Sequence, residues 1–186
     1  MNSYIANPIE FIISTMFGLY ILAVMLRFLL GLTRADFYNP ISQFLVRITN
    51  PLLIPLRKII PAFGKLDIAS IVLILALQII LLLIIVALRG ASIKLLPLLL
   101  MAVGELIMLA LNVFLVAIIV QVIISWINPG SYNPVNALLH NLTAPILRPV
   151  QRIIPPLSGI DLSPLFALIG LQVLKMLIQP LLVLSF

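Results

Sequence analysis

The sequence contains no cysteine, one histidine and one tryptophan, and only 9% of its residues are charged. Without cysteine the chain cannot form a disulfide, bind a metal through thiolates or attach a c-type haem. His140 has no second histidine, cysteine or carboxylate at ligand spacing, so we expect no metal site. Phosphate-binding glycine loops, nucleophile elbows, paired catalytic carboxylates and zinc motifs are also missing. An enzymatic activity and a cofactor therefore have no support in the sequence.

Long apolar runs dominate the 186-residue chain, which is 63% hydrophobic. Four runs cover about 9–32, 67–89, 98–127 and 163–186, and each reaches the roughly 20 residues that a helix needs to cross a bilayer. None alternates strictly between apolar and polar residues, which disfavours a transmembrane barrel. The first run has no basic segment before it and no cleavage site after it, so we expect it to remain as a helix. The sequence predicts an all-α membrane protein with four transmembrane helices.

Basic residues account for the formal net charge of +6, and they are unevenly distributed between the loops. Seven lie between the first and second or the third and fourth spans, at Arg34, Arg47, Arg57, Lys58, Lys65, Arg148 and Arg152. Only Arg89 and Lys94 lie in the middle connection. The positive-inside rule then predicts that loops one and three are cytoplasmic and that both termini are outside. Because the cations adjoin membrane spans and form no dense patch, we expect them to contact lipid and not nucleic acid.

The chain repeats itself at an offset of 94 residues, with 14 identities between positions 38–80 and 132–174. The repeated motif residues are Tyr38, Asn39, Pro40, Pro51, Pro55, Pro61 and Asp67 in the first copy, and Tyr132, Asn133, Pro134, Pro145, Pro149, Pro155 and Asp161 in the second. Residues 1–90 and 91–186 are therefore predicted to be tandem units of helix, proline-bounded segment and helix. Two spans per unit make the units parallel, with a pseudo-twofold axis along the membrane normal.

The segments between the paired spans, 40–61 and 134–155, are predicted to begin as short amphipathic helices. Asn39 and Asn133 are expected N-caps, each followed by proline at the first helical position. Ile41, Phe44, Leu45 and Ile48 form the predicted apolar face, with Ser42, Gln43 and Arg47 off it. Proline disfavours the α conformation in the residue before it, so Pro51 and Pro145 are expected to end these helices. About ten residues cannot span a membrane, which leaves interfacial and re-entrant arrangements open.

Four cations beside apolar residues follow the expected helix ends, namely Arg57, Lys58, Arg148 and Arg152. They are expected to contact lipid headgroups, or alternatively to form a binding site for an anion or a partner.

Asp67 and Asp161 precede the second and fourth spans. Each can cap the helix that follows it. Alternatively, the two carboxylates face each other across a cation path near the pseudo-twofold axis.

Lys175 lies halfway along the fourth run, where an unpaired ammonium is costly. Three hypotheses remain open for Lys175: a structural pair with another helix, a role in permeation or proton transfer, and snorkelling to the interface. Glu105, Glu10 and Asn112 are candidate partners, and Gln172 and its repeat equivalent Gln78 are expected to form a polar stripe inside the bundle. Arg27 is expected to anchor the first span at the interface.

Two motifs, DFYNP and NPLLIPLRKIIP, precede Asp67, and they recur before Asp161 as SYNP and APILRPVQRIIP. These motifs resemble those of the YggT family of bacterial membrane proteins, also called YlmG-like. The resemblance covers nearly the whole chain; the second copy departs from it with Ser131 for Phe37 and Gln151 for Arg57. It implies a multi-pass inner-membrane protein connected with osmotic-shock tolerance and potassium supply. Relatives are linked to cell division, nucleoid organisation or, in plastids, cytochrome assembly.

Two functions follow as hypotheses. In the first, the protein supports ion homeostasis as a small channel or channel helper, with Asp67, Asp161 and Lys175 near the path. In the second, it is a scaffold or assembly factor for a cell-division or membrane-protein complex, whose basic hairpins hold lipid or a partner. Both are compatible with binding to the bilayer and to a second copy or other membrane proteins.

Overall fold

The computed structural model describes residues 3–61, 66–92, 94–127, 133–154 and 161–183. In these residues the chain forms six α-helices, α1 (Ser3–Leu32), α2 (Pro40–Ile59), α3 (Ile68–Arg89), α4 (Leu95–Ile127), α5 (Pro134–Ile153) and α6 (Ser163–Val183). Four of them are long and apolar enough to span a membrane, over Asn7–Leu32, Ile68–Arg89, Leu95–Ile127 and Ser163–Pro180. The prediction of an all-α, multi-pass membrane protein is confirmed.

Side-chain caps fix where three of the helices begin. The carboxamide oxygen of Asn39 accepts the backbone N–H of Ile41 at 3.0 Å, and that of Asn133 accepts the N–H of Val135 at 2.9 Å. Proline follows each asparagine, where its missing donor costs nothing. Asp67 caps α3, whose last turn is closed by Gly90 in the left-handed conformation.

Each amphipathic helix continues through its two internal prolines, so the prediction that Pro51 and Pro145 end them is wrong. Pro51 and Pro55 are one turn apart and both exposed, as are Pro145 and Pro149. The carbonyls that lose a donor therefore lie towards the surface, where water or polar headgroups can hydrogen-bond to them. α2 instead ends before Pro61, whose predecessor Ile60 has extended backbone angles, as proline requires.

The helices pack as two three-helix units, α1–α3 and α4–α6, in which every helix contacts the other two. In the first unit, Val24 and Leu53 are fully buried where α1 meets α2. In the second, Ile118, Leu147 and Leu171 bring α4, α5 and α6 together. The α2 and α5 helices are thus held against the pairs of spanning helices along their length.

Contacts between the two units are not symmetric. α1 touches α4 and α2 touches α5, and in addition α3 packs against α4 and α1 against α5, whereas α6 makes no contact with α1 and α4 makes none with α2 over the residues with defined positions. A twofold axis exchanges the units, so it would require a contact of α6 with α1 to match that of α3 with α4, and one of α4 with α2 to match that of α1 with α5. The expected pseudo-twofold arrangement is therefore not observed, although the tandem repeat itself is present.

Candidate functional site: the polar framework beneath the amphipathic helices

The α2 helix has three distinct flanks. One is buried against the spanning helices through Ser42, Leu45, Thr49 and Leu53. A second is apolar and exposed, and carries Ile41, Phe44, Leu52 and Ile59. The third is exposed and polar, with Gln43, Arg47 and Lys58. The predicted face differs at Ser42, which is buried and donates to the Asp36 carbonyl at 2.9 Å. A helix with these flanks can meet protein, hydrocarbon and water at once.

Arg27 forms the centre of a buried polar contact between α1 and α2. Only 6% of the residue is exposed. Its guanidinium donates to the Thr49 hydroxyl at 2.5 Å, the Asn50 side-chain oxygen at 2.8 Å and the Val46 carbonyl at 3.3 Å. These neutral oxygens satisfy the buried cation, which is a costly group when left without partners. Arg27 is thus an internal tie to α2, whereas the sequence predicted an anchor at the lipid interface.

The second unit repeats this contact without the cation. Gln121 is the repeat equivalent of Arg27, and its side-chain oxygen accepts a hydrogen bond from the Thr143 hydroxyl at 2.5 Å. Thr143 is the equivalent of Thr49, and both threonines are fully buried. The geometry is therefore conserved between the units, while the charge is present only in the first.

Asp67 joins the end of α2 to the start of α3. Its carboxylate forms an ion pair with Arg57 and accepts the Ser70 hydroxyl at 2.5 Å. Burial acts to raise the pKa of Asp67, but the hydrogen bonds from Arg57 and Ser70 outweigh it and leave the pKa below its ordinary value of 3.8. The group is a cap and an ionic link in one.

Asp161 occupies the same place in the second unit with neutral partners. It accepts the side-chain amide of Gln151 at 2.9 Å and the backbone N–H of Ser163 at 2.9 Å. Burial acts to raise the pKa of Asp161, but the hydrogen bonds from Ser163 and Gln151 outweigh it and leave the pKa below its ordinary value. Since α3 and α6 make no contact, each carboxylate serves its own unit. Each aspartate therefore accepts hydrogen bonds at the start of the helix that follows it, and the two do not face each other across a cation path.

The four cations expected at headgroups are all exposed: Arg57, Lys58, Arg148 and Arg152. Arg148 and Arg152 lie one turn apart on α5 and line an open groove of about 290 Å³. Thr33, after the end of α1, and Asn141 complete its polar wall. This groove brings two guanidinium groups to one concave surface, an arrangement suited to a phosphate or carboxylate group.

A larger groove, of about 730 Å³, lies between α4, α5 and α6. Its polar wall includes Gln121, His140, Thr143, Gln151 and Asp161, and most of its apolar wall is formed by isoleucines and leucines. Arg148 lines both grooves. The second unit is therefore more open than the first beside its polar framework, where Met25 and Leu29 are buried but their equivalents Ile119 and Ile123 are exposed.

Polar groups in the spanning helices form pairs between neighbouring helices. Lys175 on α6 donates to the Asn112 side-chain oxygen on α4 at 2.6 Å. Of the three hypotheses for this lysine, the structure shows the interhelical pair. Gln78 is buried and donates to Glu105. Gln172 is exposed, so the expected stripe of Gln78 and Gln172 inside one bundle is not formed.

Glu10 forms an ion pair with Arg89, across the ends of α1 and α3. The Arg89 Nε donates to a Glu10 oxygen at 3.1 Å.

The repeated asparagine and tyrosine motif lies partly between the units. The Asn39 side-chain amide donates to the Pro134 carbonyl at 2.7 Å, which joins the starts of α2 and α5. Tyr38 is 92% exposed. The motif residues Tyr132 and Pro155 lie outside the described residues.

Arg27, Thr49 and their equivalents were not identified as a contact from the sequence. The available signal was the identity of Thr49 and Thr143 at the repeat offset, which shared hydrophobicity does not explain. Among the described residues there is no group of three or more histidine, aspartate or glutamate side chains that could hold a metal ion.

A family model described as CCB3/YggT matches the chain twice, over residues 6–88 and 100–182. The chain belongs to the CCB3/YggT family. Both the starts and the ends of the two matches lie 94 residues apart, which is the offset of the sequence repeat. The YggT resemblance drawn from the motifs is confirmed.

Several bacterial proteins are similar over most of their length. The chain is 46% identical over 170 residues to the uncharacterized protein PA0392 of Pseudomonas aeruginosa, covering 90% of this chain and 86% of that protein. It is 36% identical over 173 residues to the uncharacterized protein YggT of Escherichia coli K12, covering 91% and 88%. The uncharacterized protein ycf19 of Guillardia theta is 32% identical over 70 residues, covering 37% of this chain and 77% of that protein. No solved structure matches the chain.

Proposed function

We propose that this CCB3/YggT-family protein is a non-enzymatic scaffold of the bacterial inner membrane that binds anionic phospholipid at its cytoplasmic surface. The observation that carries the proposal is the three-flank structure of α2, whose buried flank contacts the bundle while an apolar and a basic flank remain exposed. An interfacial helix needs this combination. A re-entrant helix would bring Arg47 and Lys58 into hydrocarbon, at a cost of several kcal/mol.

The groove on α5 supports the choice of lipid. Arg148 and Arg152 present two guanidinium forks, and Asn141 adds a polar side chain beside them. Guanidinium groups bind phosphate oxygens through paired hydrogen bonds, and apolar residues next to them can enter the acyl boundary. In the first unit the equivalent positions are Ile54 and Lys58. The proposed headgroup site therefore belongs to the second unit.

Native mass spectrometry of the full chain in mild detergent, titrated with phosphatidylglycerol or phosphatidylcholine, tests the proposal. We expect preferential adducts with phosphatidylglycerol, and the double variant Arg148→Gln and Arg152→Gln should weaken them by about tenfold or more, since each cation near a lipid surface contributes roughly 1 kcal/mol. The comparison variant, Arg47→Gln with Lys58→Gln, removes two cations from the exposed basic flank of α2 and should weaken the adducts less, because these residues do not line the α5 groove. Equal binding by the α5 variant and the wild type, or an equal loss in both double variants, would contradict a built site on α5.

A role in potassium homeostasis or osmotic-stress tolerance is the second candidate. Its support is the presence of Glu105 and Lys175, two ionisable groups within spanning helices. Each has a hydrogen-bonding partner on a neighbouring helix, which favours a structural role over a path for ions. Potassium flux into vesicles holding the purified protein, abolished by Glu105→Gln or Lys175→Met, would favour this second function over the scaffold.

A further inference from the structure

The outer flanks of α3 and α6 differ in exposure although the two helices are repeat equivalents. Leu82 on α3 is 4% exposed because it packs against Leu98 and Ala102 of α4. Its equivalent on α6, Met176, is 63% exposed. Similarly, Gln78 is 5% exposed, whereas its equivalent Gln172 is exposed.

The whole flank follows this pattern. The residues of α3 that meet α4 are Leu75, Gln78, Ile79, Leu82 and Leu83. Their equivalents on α6 are all exposed, at Ile169, Gln172, Val173, Met176 and Leu177. The first repeat thus covers a surface that the second repeat leaves open.

Simple orientation towards lipid does not account for the difference. Two positions beside this flank, Ala76 and Ile80 on α3, are exposed together with their equivalents Gly170 and Leu174 on α6. They define a flank that faces away from protein in both repeats. The exposed positions of α6 named above form a second flank, which faces protein in the first repeat.

α1 carries the complementary open surface. On α4, Leu106, Ala110 and Val113 pack into the core of the first unit, and Glu105 bonds to Gln78. The equivalents on α1 are all exposed, at Phe11, Ile12, Met16 and Leu19. The surface that α4 uses to bind the first repeat is therefore open on α1.

We propose that α6 of one chain packs against α1 of a second copy, in the way that α3 packs against α4 within the chain. When the last helix of one repeat packs against the first helix of the next, the last helix of the final repeat and the first helix of the initial repeat are left without a partner. α6 and α1 are those two helices, because they do not contact each other within the chain. A ring of two chains is the smallest assembly that covers both surfaces on every copy. This proposal does not depend on lipid binding by α5.

Gln172 provides an independent reason for a protein partner. Its carboxamide is exposed on a helix long enough to span the membrane, where hydrocarbon offers no hydrogen-bonding groups. At the proposed contact Gln172 takes the place of Gln78 and lies opposite Phe11, the equivalent of Glu105. Asn7 and Thr15, one turn to either side of Phe11, are exposed and supply polar partners. Polar side chains of this kind stabilise helix pairs in membranes.

The absence of cysteine makes crosslinking a direct test in native membranes. The double variant Phe11→Cys with Gln172→Cys, treated with a short bismaleimide, should give a two-chain product on a denaturing gel. The matched control, Phe11→Cys with Leu174→Cys, keeps the α1 cysteine and moves the other to the flank exposed in both repeats. We expect several-fold less two-chain product from the control.

Native mass spectrometry and single-molecule photobleaching of the labelled wild-type chain in vesicles provide a measurement without substitutions. Two copies per particle, with crosslinking specific to position 172, are the expected results. Single-step photobleaching of the wild type, or equal crosslinking at positions 172 and 174, would overturn the proposed contact.

Discussion

The two repeats build the same framework with different charges. In the first, the cations Arg27 and Arg57 bond to Thr49 and Asp67. In the second, the same positions hold the neutral amides of Gln121 and Gln151, which bond to Thr143 and Asp161. The hydrogen-bonded positions are thus retained, whereas the two arginines are replaced by neutral glutamines.

Cations in the second unit lie instead on its surface. Arg148 replaces an isoleucine of the first unit, and with Arg152 it lines the α5 groove. Arg27 and Arg57 of the first unit therefore bond within the protein, although Arg47 is exposed, and Arg148 and Arg152 of the second unit point outwards. The difference indicates that the buried framework requires hydrogen bonds more than charge.

The largest difference between the repeats is expected at Arg27. Arg27→Met removes a donor that bonds to three oxygens in a buried site, and hydrogen bonds to charged groups contribute about 2 kcal/mol. The equivalent Gln121→Leu removes one bond between neutral groups and should cost about 1 kcal/mol. Unfolding in mixed micelles with increasing denaturing detergent measures both losses in free energy.

Arg27→Gln is the informative control because it places the residue of the second unit in the first. It should retain part of the stability lost in Arg27→Met. If Arg27→Met is as stable as the wild type, the relief of burying a charge offsets the lost hydrogen bonds, and the proposed importance of the framework fails.

The next largest effect concerns Asp67 and Asp161 and depends on pH. Both carboxyls have a folded-state pKa below the ordinary value of 3.8, so each stabilises the fold above that value. The stabilisation is lost as the pH falls through the folded-state pKa, because the protonated carboxyl binds its partners less well. Asp67→Asn should cost about 1 kcal/mol near pH 7, since its ion pair with Arg57 is partly exposed.

Asp161→Asn tests the comparison, because its partners carry no charge. We expect a smaller loss at pH 7 and a smaller change in the dependence of thermal unfolding on pH between 5 and 2.5, roughly the range in which carboxyls titrate. A larger effect at Asp161 than at Asp67 would show that the ion pair adds nothing to the cap.

Much of the fold follows from local sequence. The four spans are long and apolar, and Asn39 and Asn133 have the side chain that an N-cap requires before proline, so length and local bonding were sufficient to predict them. The repeat was also visible, since Asn, Pro and Asp recur at positions where hydrophobicity alone gives no reason for identity.

The errors arise where tertiary contacts decide the outcome. Pro51 and Pro145 disfavour a helix locally, but packing of the buried flank of α2 and α5 and the exposure of the freed carbonyls allow the helices to continue. Arg27 resembled an interfacial anchor because its partners on α2 are more than 18 residues away in sequence. The exposure of Gln172 depends on the asymmetric contacts between the units, which internal repetition does not determine.

The smallest expected effect comes from making the second repeat resemble the first. Gln151 already lies 2.9 Å from Asp161, and Gln151→Arg would convert this bond between an amide and a carboxylate into an ion pair like that of Arg57 with Asp67. Because such partly exposed pairs contribute about 0.5 kcal/mol, a small gain in unfolding free energy is expected, and it should decrease with added salt. Gln151→Lys is the matched control, with a charge but without the planar guanidinium fork. A loss of stability in both variants would mean that the second unit does not tolerate a cation at position 151. The neutral glutamine would then be required there for stability.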